Sequence, residues 1–320
     1  MSVFAAILLK LAPLYLNILL GYIAGRLLKT PIDTISRLMF FIINPLIMFN
    51  GVLHTRIDAS VLSLPFVVFI LSCALCLGIY QLVKHMWTDA SKNLVAFSAG
   101  TGNTGYFGLP LALLLFDTQG EGVYMMALLG VTIYENTLGF YILAKGTHGP
   151  TECLKKLFLM PSLYAALLAL SITYFHIPMP EVFTEFMCHI KGTYTVLGMM
   201  TVGLGLAALH HLELDLKFLG VTFLSKFILW PAIVLGLIFI DAHWLHIYST
   251  DIHNALILLS IVPMAVNTVI IAAVVKAHPE KAATAVLLST FIALLYVPLM
   301  VIYFIINTTD LFVHESCLPV

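Results

Sequence analysis

Gly100 to Leu113, GTGNTGYFGLPLAL, stands between apolar stretches long enough to cross a membrane, yet it carries four glycines, an asparagine and a proline. Gly100, Gly102, Gly105 and Gly108 weaken a helix. Pro110 removes a backbone donor and pushes the residue before it away from helical geometry. A span containing this stretch is expected to break near its centre, at Pro110. Broken backbone is tolerated at bilayer depth only where protein or a wet cavity covers it, so the stretch points to a polar cavity inside a bundle.

The rest of the chain supports a membrane setting. Of 320 residues, 61% are apolar and 10% charged, and the mean hydropathy is +1.04. That describes a surface facing mostly lipid. A net charge of −1, with Lys and Arg dispersed between apolar runs, offers no face for nucleic acid. The five cysteines, Cys73, Cys76, Cys153, Cys188 and Cys317, are odd in number and scattered, which argues against a disulfide framework. Cys73 and Cys76 fall inside an apolar run and read as packing residues. The first residues lack a basic n-region and a small-residue cleavage site, and read as the start of a retained span.

A helical span needs about 20 apolar residues. Ten candidates fit, at 4–27, 35–53, 62–83, 93–116, 122–144, 157–175, 190–209, 217–239, 254–275 and 283–306. The runs are too long and continuous for barrel strands. One set of alternate loops collects Arg26, Lys29, Arg37, Lys84, Lys92, Lys145, Lys155, Lys156, Lys217, Lys276 and Lys281, and the other only Lys10, Arg56 and Lys191. The first side is therefore expected to be cytoplasmic, with both termini outside. The loop Lys145–Lys156 leaves five spans on each side, so the halves must be inverted. The expected units are 1–150, 151–306 and a polar tail, 307–320.

The halves echo each other. Pro13 and Pro161 fall early in their first spans, and the fourth span of the second half, within Ser260 to Ile271, carries Pro263 and Asn267. Two breaks at matching depth would bring four half-helix ends together. Inverted repeats with discontinuous helices are common in secondary transporters, whose substrate sites lie at the midplane. Freed amides at half-helix N-termini favour an anion, and Asn103 and Asn267 can each offer a carbonyl and an amide.

Five stretches, LLGYIAGR in the first span, INPLIMF in the second, NTGYFGLPL in the fourth, SKFILWP in the eighth and PMAVNTVIIA in the ninth, resemble the auxin efflux carrier family. The resemblance runs from about residue 4 to 306 with the motifs in order. It implies an all-α membrane protein of ten transmembrane helices in two inverted five-helix repeats, crossed broken helices four and nine, and transport of organic anions such as auxin, malate or malonate. The short central loop resembles bacterial members, which implies the bacterial inner (plasma) membrane. Where plant exporters carry Asn-Pro in the fourth span this chain has GNTGY, which argues against auxin itself.

Ionisable groups at bilayer depth cost about 2.5–3.5 kcal/mol on insertion scales and call for a reason. Lys226, in the eighth span shortly before Pro231, is read as binding a carboxylate or standing in for a cation. Glu135, in the fifth, is read as carrying a coupling proton; the alternative is a buried ion pair that only holds the halves together. Asn44 and Asn50 add amides in the second span, Asn17 in the first and Asn136 in the fifth. The expected substrate site is thus Asn44, Asn103, Gly105, Pro110, Lys226, Pro263 and Asn267, with Glu135 and Lys226 coupling. The adjacent His210 and His211 point to different helix faces, so no metal is expected, and no cofactor.

No His-Glu-x-x-His, Gly-x-Ser-x-Gly or aspartate-rich pair is present, so an intramembrane enzyme is disfavoured. The alternatives are a sodium-coupled symporter resembling the bile-acid carriers and, behind it, a channel. The expected partners are a small organic anion, a proton or sodium as coupling ion, membrane lipid and a second copy in a homodimer.

Overall fold

The computed structural model describes residues 3–144, 158–208 and 213–305, with side chains from residue 8 onward in the first helix. The loop expected to join the halves, the His210–His211 pair and the 307–320 tail lie outside the described residues. Within them every regular element is helical: α1 (Val3–Leu27), α2 (Ile32–Leu53), α3 (Ala59–Val83), α4 (Ser91–Ala99), α5 (104–115), α6 (Thr118–Leu143), α7 (Pro161–Tyr174), α8 (Glu181–Ala207), α9 (Leu216–Leu245), α10 (Thr250–Ile261), α11 (Asn267–Val274) and α12 (Pro279–Ile305). Six of them, α1, α2, α3, α6, α9 and α12, are long and apolar enough to cross a membrane. The chain is an all-α, multi-pass membrane protein.

Proline chemistry shapes several of these helices. A π-turn at Met39–Ile43 precedes Pro45, one at Thr104–Gly108 precedes Pro110, and one at Leu224–Leu229 precedes Pro231. A proline has no N–H to donate, and its ring crowds the carbonyl four residues back. Widening the preceding turn lets the helix continue past it.

The helices pack as two groups. In the first, α1 lies along α8 and α7 lies against the later half of α2. The α1–α8 contact is close because Gly21 faces the Met200 backbone and Gly203 faces the backbone of Ile18 and Tyr22; a Cβ on either glycine would overlap the other helix. In the second group α6 packs between α3 and α10, α4 packs on α3, and α11 packs on α12. The groups meet where α2 packs on α6 and α8 packs on α5.

Helix starts are fixed by side-chain caps. Asp58 Oδ1 accepts from the Val61 amide at 2.8 Å, Asp117 Oδ1 from Gly120 at 2.8 Å and Asp215 Oδ1 from Phe218 at 2.9 Å. The start of α12 is tied to α4 and α9 through buried Lys281, whose Nζ donates to Asp215 Oδ2 at 2.8 Å and to Ser91 Oγ at 3.2 Å.

Two sequence expectations fail here. Residues 118–121, left between the expected spans 93–116 and 122–144, form the first turn of α6 because Asp117 caps it. Lys191, read as a loop cation, lies ten residues inside α8, which begins at Glu181. Both misreadings share a cause. Glu121 and Lys191 look like loop charges in sequence, but they pair with each other, and pairing lets both sit within helices.

Candidate transport site at the broken helices

The run from α4 to α5 breaks at 100–103, and the run from α10 to α11 breaks at 262–266. The sequence places the first break at Pro110, and the structure corrects this. Pro110 lies inside α5, directly after the turn Thr104–Gly108 that widens to accommodate it, and the helix runs past it. Gly100 and Gly102 provide the interruption instead, and Asn103, at φ −75° and ψ 54°, leads into the next turn. Pro263 does lie within its break.

The two breaks are bonded to each other. The Asn103 amide donates to the Pro263 carbonyl at 2.8 Å. Asn103 O in turn accepts from Phe107 and Gly108, at 3.2 and 2.9 Å, closing the π-turn of α5. Met264 N–H donates to Ser289 Oγ at 3.2 Å, which anchors the second break to α12. Two tyrosines complete the accounting at the first break. Tyr124 Oη donates to Thr104 O at 2.9 Å, and Tyr194 Oη donates to Gly105 O at 3.1 Å. Both carbonyls also accept from the Leu109 amide within α5, so the tyrosines are second partners that tie the π-turn to α6 and α8.

A cavity of about 200 Å³ opens on one side of these breaks, lined by the first turns of both α5 and α11. Asn44, Asn103, Gly105, Glu135 and Asn267 all line it, so five of the expected site residues come together. Asn136 lines it too, with its amide nitrogen donating to Thr132 O at 2.9 Å. Phe40, Leu128, Ile270 and Ile271 supply apolar wall. The Nδ2 of Asn103 and the Oδ1 of Asn44 are buried and have no protein partner. A buried polar atom left unpaired costs about 1–3 kcal/mol, so two of them in one cavity wall mark a place where a polar ligand would be held.

Pro110, Pro263 and Lys226 do not line the cavity. Lys226 is fully buried in the π-turn of α9, behind the first break. Its Nζ donates to Thr101 O at 3.2 Å, and the Thr101 hydroxyl donates to Glu135 Oε1. Lys226 and Glu135 are therefore joined through Thr101 and not by a direct ion pair. Gly102 beside them leaves room for the ammonium, since a Cβ there would overlap Lys226 Nζ. Asn17 and Asn50 lie away from the cavity, and the Asn50 carbonyl instead accepts from His54 at 2.9 Å.

Sequence reading missed Thr101, Tyr124 and Tyr194. Thr101 carried the one available signal, its position between Gly100 and Gly102. The tyrosines sit in ordinary helical sequence and acquire their role only because broken backbone faces them.

Residues 150–301, which include the second break, match the family described as membrane transport protein. Over 296 residues the chain is 24% identical to an uncharacterized transporter of Methanocaldococcus jannaschii, covering 88% of this chain and 94% of that one. Proteins of this family are transporters and not enzymes. The chain is a multi-pass membrane protein that is similar, over residues 150–301, to the membrane transport protein family and, over most of its length, to a transporter of that archaeon.

Proposed function

We propose that the protein is a secondary active transporter that moves a small organic anion, a mono- or dicarboxylate, across the membrane by alternating access. The observation that carries this reading is the cavity in which the first turns of α5 and α11 meet the unpaired amide groups of Asn103 and Asn44. Helix N-termini present partial positive charge, and two directed into one wall favour a carboxylate over a cation. The amide groups give the orientation and Gly105 the close approach. Phe40 and Ile270 would cover the apolar part of the substrate.

The Lys226–Thr101–Glu135 chain supports a coupling role beside that site. Glu135 reaches the cavity and Lys226 does not, so a proton taken up by Glu135 would be felt directly by a bound anion. Sodium is less well served, because the Lys226 ammonium already occupies the carbonyl of Thr101 at the break. The ten spans, arranged as two inverted five-helix repeats with α4–α5 and α10–α11 crossing, belong to the same proposal. So does a plasma-membrane location with both termini outside.

The test is ligand stabilisation of the purified protein with a set of mono- and dicarboxylates, followed by counterflow in proteoliposomes. Asn103→Ala and Asn267→Ala are each expected to weaken carboxylate binding by about 1–3 kcal/mol, the cost of leaving a buried polar group unmatched. Unchanged affinity and flux in both variants would remove the site.

A further inference from the structure

Glu121 and Lys191 form an ion pair that the transport site does not use. Both side chains are largely buried, at 9% and 22% exposure. They belong to different helix groups: Glu121 is in the first turn of α6, which packs on α3 and α10, and Lys191 is on α8, which packs along α1. Nothing in folding either group alone requires the pair, and a buried ion pair is a poor source of net stability.

Its position is specific. One turn further along α6 is Tyr124, and one turn further along α8 is Tyr194, the two tyrosines bonded to Thr104 and Gly105 at the first break. Leu128, Thr132 and Glu135 follow along α6 and line the cavity, whereas Glu121 and Tyr124 do not. Glu135 is about 21 Å beyond Glu121 along the helix, at about 1.5 Å per residue. The order along α6 is therefore ion pair, tyrosine layer, cavity. On the ion-pair side the two groups are also pressed together. Gly122 faces Thr55 and Gly51 faces Met125, and a Cβ on either glycine would overlap its neighbour.

We propose that the Glu121–Lys191 pair is the gate on the side of the breaks opposite the cavity. It holds the two helix groups together there while the cavity side is accessible, and it separates, with Tyr194 leaving Gly105, when access reverses. Once separated, Glu121 sits in the first turn of α6 and the already part-exposed Lys191 side chain can extend toward water. A buried pair that must be broken costs more than a hydrated one and so favours the closed arrangement, yet it leaves the open one attainable. This rests on the transporter reading. Its test measures access and not transport, so the two can fail separately.

The experiment uses the full chain with its five native cysteines replaced by serine and a reporter, Thr132→Cys, in the cavity wall. In vesicles of known orientation, a membrane-impermeant methanethiosulfonate is added from either side, and modification of the reporter is read by peptide mass. With the pair intact, labelling is fast from the cavity side and slow from the Glu121 side. Glu121→Gln and Lys191→Met should each raise labelling from the Glu121 side by about tenfold, a small shift for the loss of one partner of a buried pair. The charge-swapped Glu121→Lys/Lys191→Glu protein should return to the slow rate. If the single variants fail to fold, Glu121→Cys/Lys191→Cys decides. Its oxidised form should label slowly from that side and its reduced form fast. Equal rates from the Glu121 side in all folded variants, a swap that behaves like the single variants, or oxidation without effect would each overturn the gate.

Discussion

The ammonium of Lys226 donates to the carbonyl of Thr101 at 3.2 Å, and this one contact joins α9 to the first helix break. Because the Thr101 hydroxyl passes on to Glu135, the three residues act as a unit and should not respond independently to substitution. Lys226→Met leaves a buried carbonyl unpaired and Glu135 without its nearby cation. A loss of about 1.5–3 kcal/mol in detergent stability is expected, the range for a hydrogen bond to a charged group. The Lys226→Met/Glu135→Gln protein should recover at least about 1 kcal/mol relative to the sum of the two single variants. Additive losses in thermal unfolding would show that Thr101 does not connect them.

Gly102 should tolerate no side chain. A Cβ there meets Val262 Cγ2 at 2.9 Å as well as the pinned Lys226 ammonium, so Gly102→Ala must displace one break relative to the other. The expected cost is about 1–3 kcal/mol, typical of overpacking. Gly105→Ala is the control, because its Cβ would find only Tyr194 Oη at 3.8 Å, an ordinary contact. Equal thermal stability of the two variants would contradict the packing at the break.

What could be read in the sequence divides along a physical line. That Gly100–Leu113 breaks is legible because glycine density has a direct backbone consequence, although its place at 100–103 is not, and Asn103 and Asn267 stand out because amides are rare inside apolar runs. Pro110 misleads, since the effect of a proline depends on whether the preceding turn can widen, and here the turn Thr104–Gly108 does. Lys226 was found as a midplane charge, yet its direction, toward Thr101 and away from the cavity, follows from tertiary packing. Lys191 reads as a loop charge and Glu121 falls between expected spans, because each alone would be too costly within a helix in the membrane. Only their spatial proximity, which no local pattern encodes, offsets that cost.

Asp215 gives a pH dependence outside the spans. Its hydrogen bond from Lys281, then that from the Phe218 amide, holds its carboxyl below the ordinary value of 3.8. A carboxylate depressed in the folded state contributes stability that is fully present above its unfolded value. That contribution is lost as pH falls through the lower folded value. Wild-type stability in detergent should therefore decline from about pH 4 downward, the ordinary carboxylate range. Asp215→Asn should be less stable than wild type at pH 7, by about 1 kcal/mol or more from the cap and ion pair together. The gap should narrow in acid. A constant gap between pH 7 and pH 3 would show that Asp215 titrates normally.

Pro110 separates two accounts of the first break. If the proline caused the interruption, Pro110→Ala would let the helix run through from α4 to α5. In the structure Gly100 and Gly102 lie in the break, and Pro110 is seven residues past Asn103 in a helical turn. An alanine there supplies an N–H and removes the ring clash. The π-turn at Thr104–Gly108 can then tighten toward α-helical spacing. Tightening would turn the Thr104 and Gly105 carbonyls away from Tyr124 and Tyr194, so the gain in local helix is opposed by lost hydrogen bonds worth about 0.5–1.5 kcal/mol each. Hydrogen exchange on the purified protein resolves the matter by segment. Amides of residues 104–110 should become more protected in Pro110→Ala, while Thr101 and Gly102 keep their wild-type exchange. Helix-like protection spreading across 100–103 would return the break to the proline and remove the glycines from its cause.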